Sequence, residues 1–241
     1  MKTSSKWLLA ALLLLLGSLT AYNRALRAEY TRGAYKNPLL NTTPLPFKDF
    51  TEVDVPAASL LGVRVVAGPY GVRVSKTAEK YVRVSQQGAR LCVALVFPEE
   101  EKYLGGAEAV TISLPRLRQL TAGGAYSAAG KNLTARHGRG GHVQIDGFRQ
   151  DSLRVQPDLG AHLDLTGNRL GYLRAEAGRT PGSHPVLRLD GHNRIGVADL
   201  RVQSQGELQL EAGSIGQLRT VFGDSARATL SGAGLRSLGQ R

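Results

Sequence analysis

The sequence is poor in cysteine, in aromatic residues and in acidic residues. Its single cysteine, Cys92, excludes a disulfide within the chain. Aromatic residues make up 6% of the chain while glycine occurs 29 times, so a core has to be built from small aliphatic side chains between tight turns. Lys and Arg number 31 against 19 Asp and Glu, which gives a net charge of +12. This excess favours anionic partners, and an arginine-rich surface that only faces water is the alternative.

The N-terminus carries an apolar run over 7–22. This run is shorter than the roughly 20 apolar residues that a membrane-spanning helix needs, so a signal peptide cleaved after Ala21 is one interpretation. Arg24 and Arg27 follow the run and hinder translocation of what comes next, which favours an uncleaved anchor over 1–27. Either interpretation exports the rest of the chain. We expect a single-pass, membrane-anchored protein of the cell envelope whose remainder lies in the periplasm or at the cell surface.

After the anchor, the hydrophobic pattern changes twice. Residues 28–48 contain three prolines and no hydrophobic period, which predicts an extended linker. Residues 49–116 alternate apolar with polar side chains and are rich in β-branched residues, which predicts a small N-terminal β segment with one face buried. No helix is predicted beyond the anchor.

From residue 117 onward a short motif that begins with leucine keeps returning. It starts, with spacings of 20, 20, 27 and 18, at Leu133, Leu153, Leu173, Leu200 and Leu218. A second element, which includes HVQIDG at 142 and HLDLTG at 162, keeps step with it. The extra residues of the long turn fall in the loop-like stretch 178–185. This period predicts an all-β fold, a right-handed parallel β-helix of about five to six coils over 117–241. A leucine-rich repeat has a similar period, but we expect neither its asparagine ladder nor its helical segment here.

In a β-helix, equivalent residues stack at the strand spacing of about 4.8 Å and form columns. The apolar residues of the second element should point inward; they are Val143, Ile145, Leu163, Leu165, Leu187, Leu189, Leu208, Leu210, Ala228 and Leu230. The arginine after each leucine should point outward in one column, made of Arg154, Arg174, Arg201 and Arg219. We predict that this column binds an acidic polymer. The alternative is that the like-charged side chains splay and pair with nearby Glu176, Glu207 or solvent.

Few residues are candidates for catalysis or for binding a metal. Asp190 and Glu211 end strands of neighbouring coils, about 5 Å apart, a separation that a retaining glycosidase uses. Each comes just before a glycine, where such residues usually form the turn itself. His142 and His162 share a column, but the pattern supplies no third ligand and no metal-binding spacing. We therefore expect no catalytic residue, no metal and no cofactor.

A resemblance is carried by four stretches in the order FKDFTEVDV, VRVVAGPYGVRVS, YVRVSQQGARLCVAL and VTISLPRLRQLTAGGAYS, followed by glycine-punctuated turns. Over roughly 47–241 the sequence resembles the bacterial cell-envelope family named "putative auto-transporter adhesin, head GIN domain". The resemblance implies an N-terminal β segment that leads into a β-helix in an exported protein, and it brings no catalytic residues. The sequence departs from the family in its weak small-residue repetition, present as SGAG at 231–234, and in an N-terminus that looks like an anchor rather than a lipoprotein signal.

These features predict a non-enzymatic, membrane-tethered envelope protein that displays a β-helical binding or adhesin-like scaffold surface, with anionic glycans as ligands. The expected partners are an acidic polysaccharide or an envelope protein, and the membrane through the N-terminal helix. Nucleic acid is not expected, because an exported protein rarely meets RNA. The alternatives are a carbohydrate-active enzyme that uses Asp190 and Glu211, and a purely structural spacer. The last coil, with Leu238 shortly before Arg241, has no obvious polar cap, which predicts self-association or a partner contact there.

Overall fold

A computed structural model describes residues 3–32, 41–104, 108–211 and 213–231 of the chain. It divides into two compact units, Met1–Thr42 and Thr43–Arg241. The described residues contain one helix, α1, and strands that belong to two sheets, so the fold is mostly β with one N-terminal apolar helix.

The helix α1 covers Thr3–Arg32 and so continues past the boundary at residue 27 that the sequence predicts. Within it, the 23-residue stretch Leu9–Thr31 is long and apolar enough to cross a membrane, and the mean hydropathy of its most apolar 18-residue window is 1.5. A signal sequence near an N-terminus has the same properties. The choice between an uncleaved anchor and a cleaved signal therefore stays a prediction.

The second unit, Thr43–Arg241, which we call the β unit, alternates short strands with turns. The strands are β1 Thr42–Leu45, β2 Glu52–Val55, β3 Gly62–Ala67, β4 Gly71–Ser75, β5 Val82–Gln87, β6 Arg90–Phe97, β7 Glu108–Leu114, β8 Gln119–Ala122, β9 Ala125–Ala128, β10 Lys131–Thr134, β11 His142–Asp146, β12 Arg149–Pro157, β13 His162–Thr166, β14 Arg169–Ala177, β15 Val186–Leu189, β16 Arg194–Val202, β17 Glu207–Leu210, β18 Ser214–Phe222 and β19 Arg227–Leu230. The first of these lies inside the segment that the sequence predicts to be a linker.

The strands form two sheets in which most neighbours are parallel. The first sheet has the order β1-β4-β7-β3-β11-β13-β15-β17-β19 and the second has the order β10-β9-β6-β2-β8-β12-β14-β16-β18, with β5 paired to β6. From β11 onward the chain alternates between the sheets, and each strand pairs in parallel with the strand two places later. Residues about one turn apart in sequence therefore become neighbours in space.

The segment 49–116 and the segment after it share both sheets. In the first sheet β3 pairs with β11, and in the second sheet β8 pairs with both β2 and β12. Their apolar side chains belong to one core cluster. The described residues on both sides of position 116 thus belong to one compact unit, Thr43–Arg241, and the division into two domains between 116 and 117 stays a prediction.

The inward columns predicted from the alternating pattern are confirmed over four strands. The side chains of Val143, Ile145, Leu163, Leu165, Leu187, Leu189, Leu208 and Leu210 are buried and stack in register. On the last described strand, β19, Ala228 is exposed and Leu230 is half-buried. Period-two burial of this kind stabilises the sheet because each strand adds apolar area to one continuous core.

Two buried asparagines connect the turns between the sheets, although the sequence interpretation expected no asparagine ladder. The side-chain oxygen of Asn168 accepts a hydrogen bond from the backbone N–H of Phe148 at 3.0 Å, and that of Asn193 accepts one from the backbone of Asn168 at 3.0 Å. Their amide groups donate to the backbone carbonyls of Ile145 and Leu165. Asn168 is fully buried and Asn193 nearly so, and each side chain is hydrogen-bonded to backbone groups of neighbouring turns, as buried polar groups require.

Candidate functional site

The register does not place the four predicted arginines in one column. Arg154 and Arg174 are direct neighbours on β12 and β14. The next position of that row, on β16, is Asp199, and Arg219 follows it on β18. Arg201 lies on a neighbouring row, opposite Glu176. The prediction of a four-arginine column is therefore wrong in its geometry, because an acidic residue interrupts the row.

The reason is a two-residue slip between the leucine motif and the coil. Arg174 pairs with Asp199, two positions before the Arg201 that the motif predicts as its neighbour. On the next strand of the same sheet, Leu218 pairs with Ala198 rather than with the Leu200 that the motif predicts. The motif is therefore displaced by two residues in the opposite direction there, and its original register is restored. The slip is even and thus keeps leucine inside and arginine outside, but it moves one arginine to another row.

The location of the extra residues also differs slightly from the prediction. One turn earlier, the register aligns His142 with His162 and Arg149 with Arg169, so both spacings are 20 residues. In the long coil His162 pairs with Val186, whereas Arg169 pairs with Arg194, one position further along. Four of the five extra residues therefore lie in the loop before β15, and the fifth lies in the turn between β15 and β16.

Glu176 partly neutralises the charges of Arg154 and Arg174, two of the four arginines predicted to bind an acidic polymer. Its carboxylate accepts hydrogen bonds from Arg174 at 2.8 Å and from Arg154 at 3.4 Å, and from the amide of Gln156 at 3.3 Å. Burial works to raise the pKa of Glu176, but these hydrogen bonds and the two guanidinium charges outweigh it and hold the pKa below its usual range. Arg201 is exposed and has no ion pair within the described ranges.

Three other arginines, which the sequence patterns did not single out, form an uninterrupted row. Arg149, Arg169 and Arg194 begin β12, β14 and β16 and are direct neighbours in the register. All three are exposed. In the part of the chain that the structure describes, none of them has an ion pair or a side-chain hydrogen bond. We call these residues the arginine row; its three backbone positions repeat at about the strand spacing of 4.8 Å, and no described acidic residue forms an ion pair with them.

A groove of about 480 Å³ runs beside the arginine row. Arg169 and Arg194 line it together with Gly171, Gly196 and Gly216. A Cβ on Gly196 would lie 2.6 Å from the carbonyl oxygen of Gly171, and one on Gly216 would lie 2.7 Å from that of Gly196. Only glycine allows the neighbouring strands β14, β16 and β18 to approach this closely here, and the missing side chains open the groove.

The carboxylates of the alternative enzyme site have structural partners. Asp190 accepts a hydrogen bond from the backbone N–H of His192 at 2.6 Å and lies 2.7 Å from Nδ1 of the same residue. This is the turn-forming arrangement expected for an acidic residue before glycine. Glu211 accepts two hydrogen bonds from Arg188, one of them from Nε at 3.0 Å. Both carboxylates are therefore engaged in local structural contacts.

His142 and His162 come together as predicted, with ring centroids 5.1 Å apart. The structure adds a third potential ligand that the sequence interpretation missed, Asp164. It lies on the same strand as His162, two residues later, and therefore on the same face of the sheet. Burial lowers the pKa of His142, although the charge of Asp164 acts in the opposite direction. The expectation that no third ligand accompanies the two histidines is wrong.

The C-terminal contact predicted at Leu238 and Arg241 lies outside the described residues, as does most of SGAG at 231–234. It stays a prediction.

No family model matches the chain, and no curated protein matches it. Among solved structures, a putative adhesin from Bacteroides fragilis is 14% identical, with a TM-score of 0.48 over 79% of this chain and 94% of that chain. A putative adhesin from Parabacteroides distasonis is 10% identical, with a TM-score of 0.33 over 78% and 95%. A putative lipid binding protein from the same organism is 11% identical, with a TM-score of 0.33 over 79% and 94%. These similarities define no function for this chain, and its membership of the GIN domain family stays a prediction.

Proposed function

We propose that this chain is a non-enzymatic, membrane-tethered protein of the cell envelope that binds anionic polymers, acidic polysaccharides foremost, along the outer face of its second sheet. The observation that carries the proposal is the arginine row, Arg149, Arg169 and Arg194, which is exposed, uninterrupted and unpaired with any described acidic residue. A row of like charges at close spacing is unfavourable by itself and becomes favourable when a polyanion lies along it.

The regular spacing follows from the architecture that we propose for the β unit. Its two sheets are taken as two faces of a right-handed parallel β-helix, in which each coil adds one strand to each face. Such a helix presents one guanidinium per coil at a constant distance. A polymer with an anionic group on each residue can then contact several arginines at once, and the affinity rises through avidity rather than through one tight site.

The arginines predicted from the leucine motif have a secondary part in the proposal. Arg154 and Arg174 share one carboxylate, Glu176, so two positive charges meet one negative charge. Among the described residues, Arg219 donates a side-chain hydrogen bond to the neutral amide oxygen of Gln217. Together with the unpaired Arg201 they extend the positive surface along the same strands and strengthen the attraction of a polyanion at longer range.

The helix α1 completes the proposal as the membrane tether. Its apolar segment Leu9–Thr31 is long enough to span a bilayer, and the β unit would then lie on the exported side. Mass spectrometry of the N-terminal peptide of the protein, isolated from cell envelopes, tests whether the helix is retained. An intact N-terminus supports the tether, whereas a chain that begins at residue 22 would mean a cleaved signal.

The binding proposal is tested with the full chain in detergent micelles and immobilised polymers. The triple variant Arg149→Gln, Arg169→Gln, Arg194→Gln is compared with wild type on a sulfated polysaccharide, a polyuronate and neutral dextran, each at low and high salt. Exposed ion pairs contribute up to about 1 kcal/mol each, so we expect the triple variant to bind the anionic polymers about 10- to 100-fold more weakly. Binding by wild type should weaken with salt because the contacts are exposed.

The matched control removes the same charge elsewhere. Arg116, Arg179 and Arg227 are exposed arginines outside the arginine row, and their triple glutamine variant should keep most of the affinity. An equal loss in both triple variants would show attraction by net charge alone and would contradict the located site. Equal binding to neutral dextran would contradict the anionic ligand.

A further inference from the structure

Two histidines and one aspartate converge on the outer face of the first sheet, away from the arginine row. His142 and His162 begin the neighbouring parallel strands β11 and β13, and Asp164 follows His162 two residues later. The two imidazole rings meet edge to face, with an interplanar angle of 64°. This arrangement directs one ring nitrogen of each histidine towards the same carboxylate.

The distances among the three groups correspond to those of metal ligands. Nε2 of His142 lies 3.4 Å from Oδ2 of Asp164, and Nε2 of His162 lies 3.1 Å from Oδ1. One nitrogen or oxygen atom from each of the three residues lies within 4.8 Å of the others. In a tetrahedral zinc site with bonds of about 2.0–2.1 Å, two ligand atoms are about 3.3–3.4 Å apart. The site therefore needs only small adjustments to place an ion between its ligands.

Two of the facing atoms are buried and have no hydrogen-bond partner. Nε2 of His162 and Oδ1 of Asp164 are close, yet their geometry does not form a hydrogen bond within the described residues. Asp164 as a residue is only 8% exposed. A buried polar atom without a partner is unfavourable, and a cation bound to both atoms would remove the penalty on each of them.

The charged side chains around the three ligands favour a bound cation. The guanidinium of Arg188 lies 3.8 Å from Oδ2 of Asp164, but it is drawn away by two hydrogen bonds to Glu211. Counting these three residues alone, two carboxylates meet one guanidinium, and the local charge is negative. Arg64, one strand to the other side, is paired with Asp146 and Glu108.

The geometry points to a binding site for a divalent transition-metal ion of the zinc type, held by His142, His162 and Asp164 with a fourth position open to solvent. Two imidazoles and one carboxylate are the donor set that such ions accept, whereas calcium and magnesium prefer oxygen ligands alone. The ion joins two neighbouring coils, so it stabilises the stacking of β11 on β13. This site does not depend on polymer binding at the arginine row.

The chain provides a matched control in a second histidine pair. The rings of His137 and His184 are stacked, with centroids 4.0 Å apart and an interplanar angle of 25°. Ring nitrogens carry their lone pairs in the plane of the ring, so stacked rings cannot direct both lone pairs to one ion. No carboxylate completes this pair among the residues that the structure describes.

The test uses the full chain in detergent micelles, freed of metal with a chelator and titrated with Co²⁺, whose visible absorption reports tetrahedral coordination, and then with Zn²⁺ in competition. We expect one equivalent of Co²⁺ to bind and Zn²⁺ to displace it. Replacement of outer ligands around metal sites costs about 10- to 100-fold in affinity, so loss of a direct ligand in Asp164→Asn or His162→Ala should cost about 100-fold or more. The double variant His137→Ala, His184→Ala should bind as wild type does.

A second measurement keeps the proposal testable if a variant is unstable. The side chain of His142 is 38% exposed, so His142→Gln should fold, and its thermal midpoint should not change with Zn²⁺. The wild-type midpoint should rise with Zn²⁺ concentration, because an ion that binds only the folded state stabilises it. Wild type without tetrahedral Co²⁺ absorption at millimolar metal would overturn the proposal. So would an equal loss of affinity in the control variant.

Discussion

The glycines beneath the arginine row lead to a quantitative prediction for Gly196→Ala. A Cβ at this position would lie 2.6 Å from the carbonyl oxygen of Gly171, whereas real Cβ contacts essentially never fall below 3.0 Å. The backbones of the paired strands β14 and β16 must therefore move apart at this point by at least the difference between these two distances. They are hydrogen-bonded on both sides of the glycine, through Ile195 and Val197, so the separation cannot stay local.

The expected free-energy change combines two opposing effects. Overpacking of this kind costs about 1–3 kcal/mol, while replacing glycine by alanine restricts the unfolded chain and returns about 0.4–1 kcal/mol. We expect a net loss of about 1–2 kcal/mol in the free energy of unfolding. Urea denaturation of the full chain in micelles, followed by circular dichroism, measures it from the shift of the midpoint at unchanged slope.

The control is a glycine with room for a methyl group. Gly71 also lies in a strand, its φ is not in the left-handed region, and an added Cβ would meet its nearest neighbour, Cβ of Ser113, at 4.0 Å. Gly71→Ala should leave the stability unchanged or raise it slightly. If Gly196→Ala and Gly71→Ala unfold at the same urea concentration, the close stacking of coils does not explain the glycines and the reasoning is refuted.

Two further predictions concern stability. Asn168→Ala should lower the free energy of unfolding by about 2–4 kcal/mol, because it removes the buried hydrogen bonds that the side chain makes to the backbone N–H of Phe148 and to the carbonyl of Ile145; a loss in denaturation below about 1 kcal/mol would contradict that role. Glu176, whose pKa lies below the usual value of 4.5 in the folded protein, contributes stability that is present above that value and lost as the pH falls through the lower folded pKa. In Glu176→Gln this part of the acid-induced loss should disappear, and an unchanged pH profile of the midpoint would show that the charge contributes nothing.

Local alternation is the part of this fold that the sequence predicts well. Val143, Leu163, Leu187 and Leu208 can each be assigned to the interior without knowledge of their neighbours, because the period of two is a property of the strand itself. The N-terminal helix is equally evident from its composition. Both features depend on residues that are close together in the chain.

The row to which a residue belongs depends on how many residues separate two paired strands. The spacing of a sequence motif can differ from this number. The leucine motif gives the wrong neighbour for Arg201 because the motif moves by two residues relative to the coil. The arginine row has no motif of its own, because its residues follow turns and carry no leucine marker. Pairing of strands fixes both rows, and pairing is a long-range property.

Asp164 illustrates a second limit. It stands two residues after His162 in HLDL, and the sequence alone places both on one face of a strand. When only residues at equivalent positions of successive strands are compared, His142 is matched with His162. Asp164 is then left out, because it stands two positions further along its strand. Side chains of adjacent rows reach one another diagonally across a sheet, and searches for ligands in stacked coils have to include such diagonals.

The two-residue slip at Leu200 shows how interior and exterior can change independently in this kind of chain. A displacement by an even number of residues returns every apolar side chain to the core and only moves the charges to another row. A displacement by an odd number would turn the whole strand inside out. Small insertions and deletions in the turns, compensated one coil later, can therefore rearrange the charge pattern while the interior stays the same. Changes of loop length can thus redistribute the surface charges of such a protein without any substitution in its packed core.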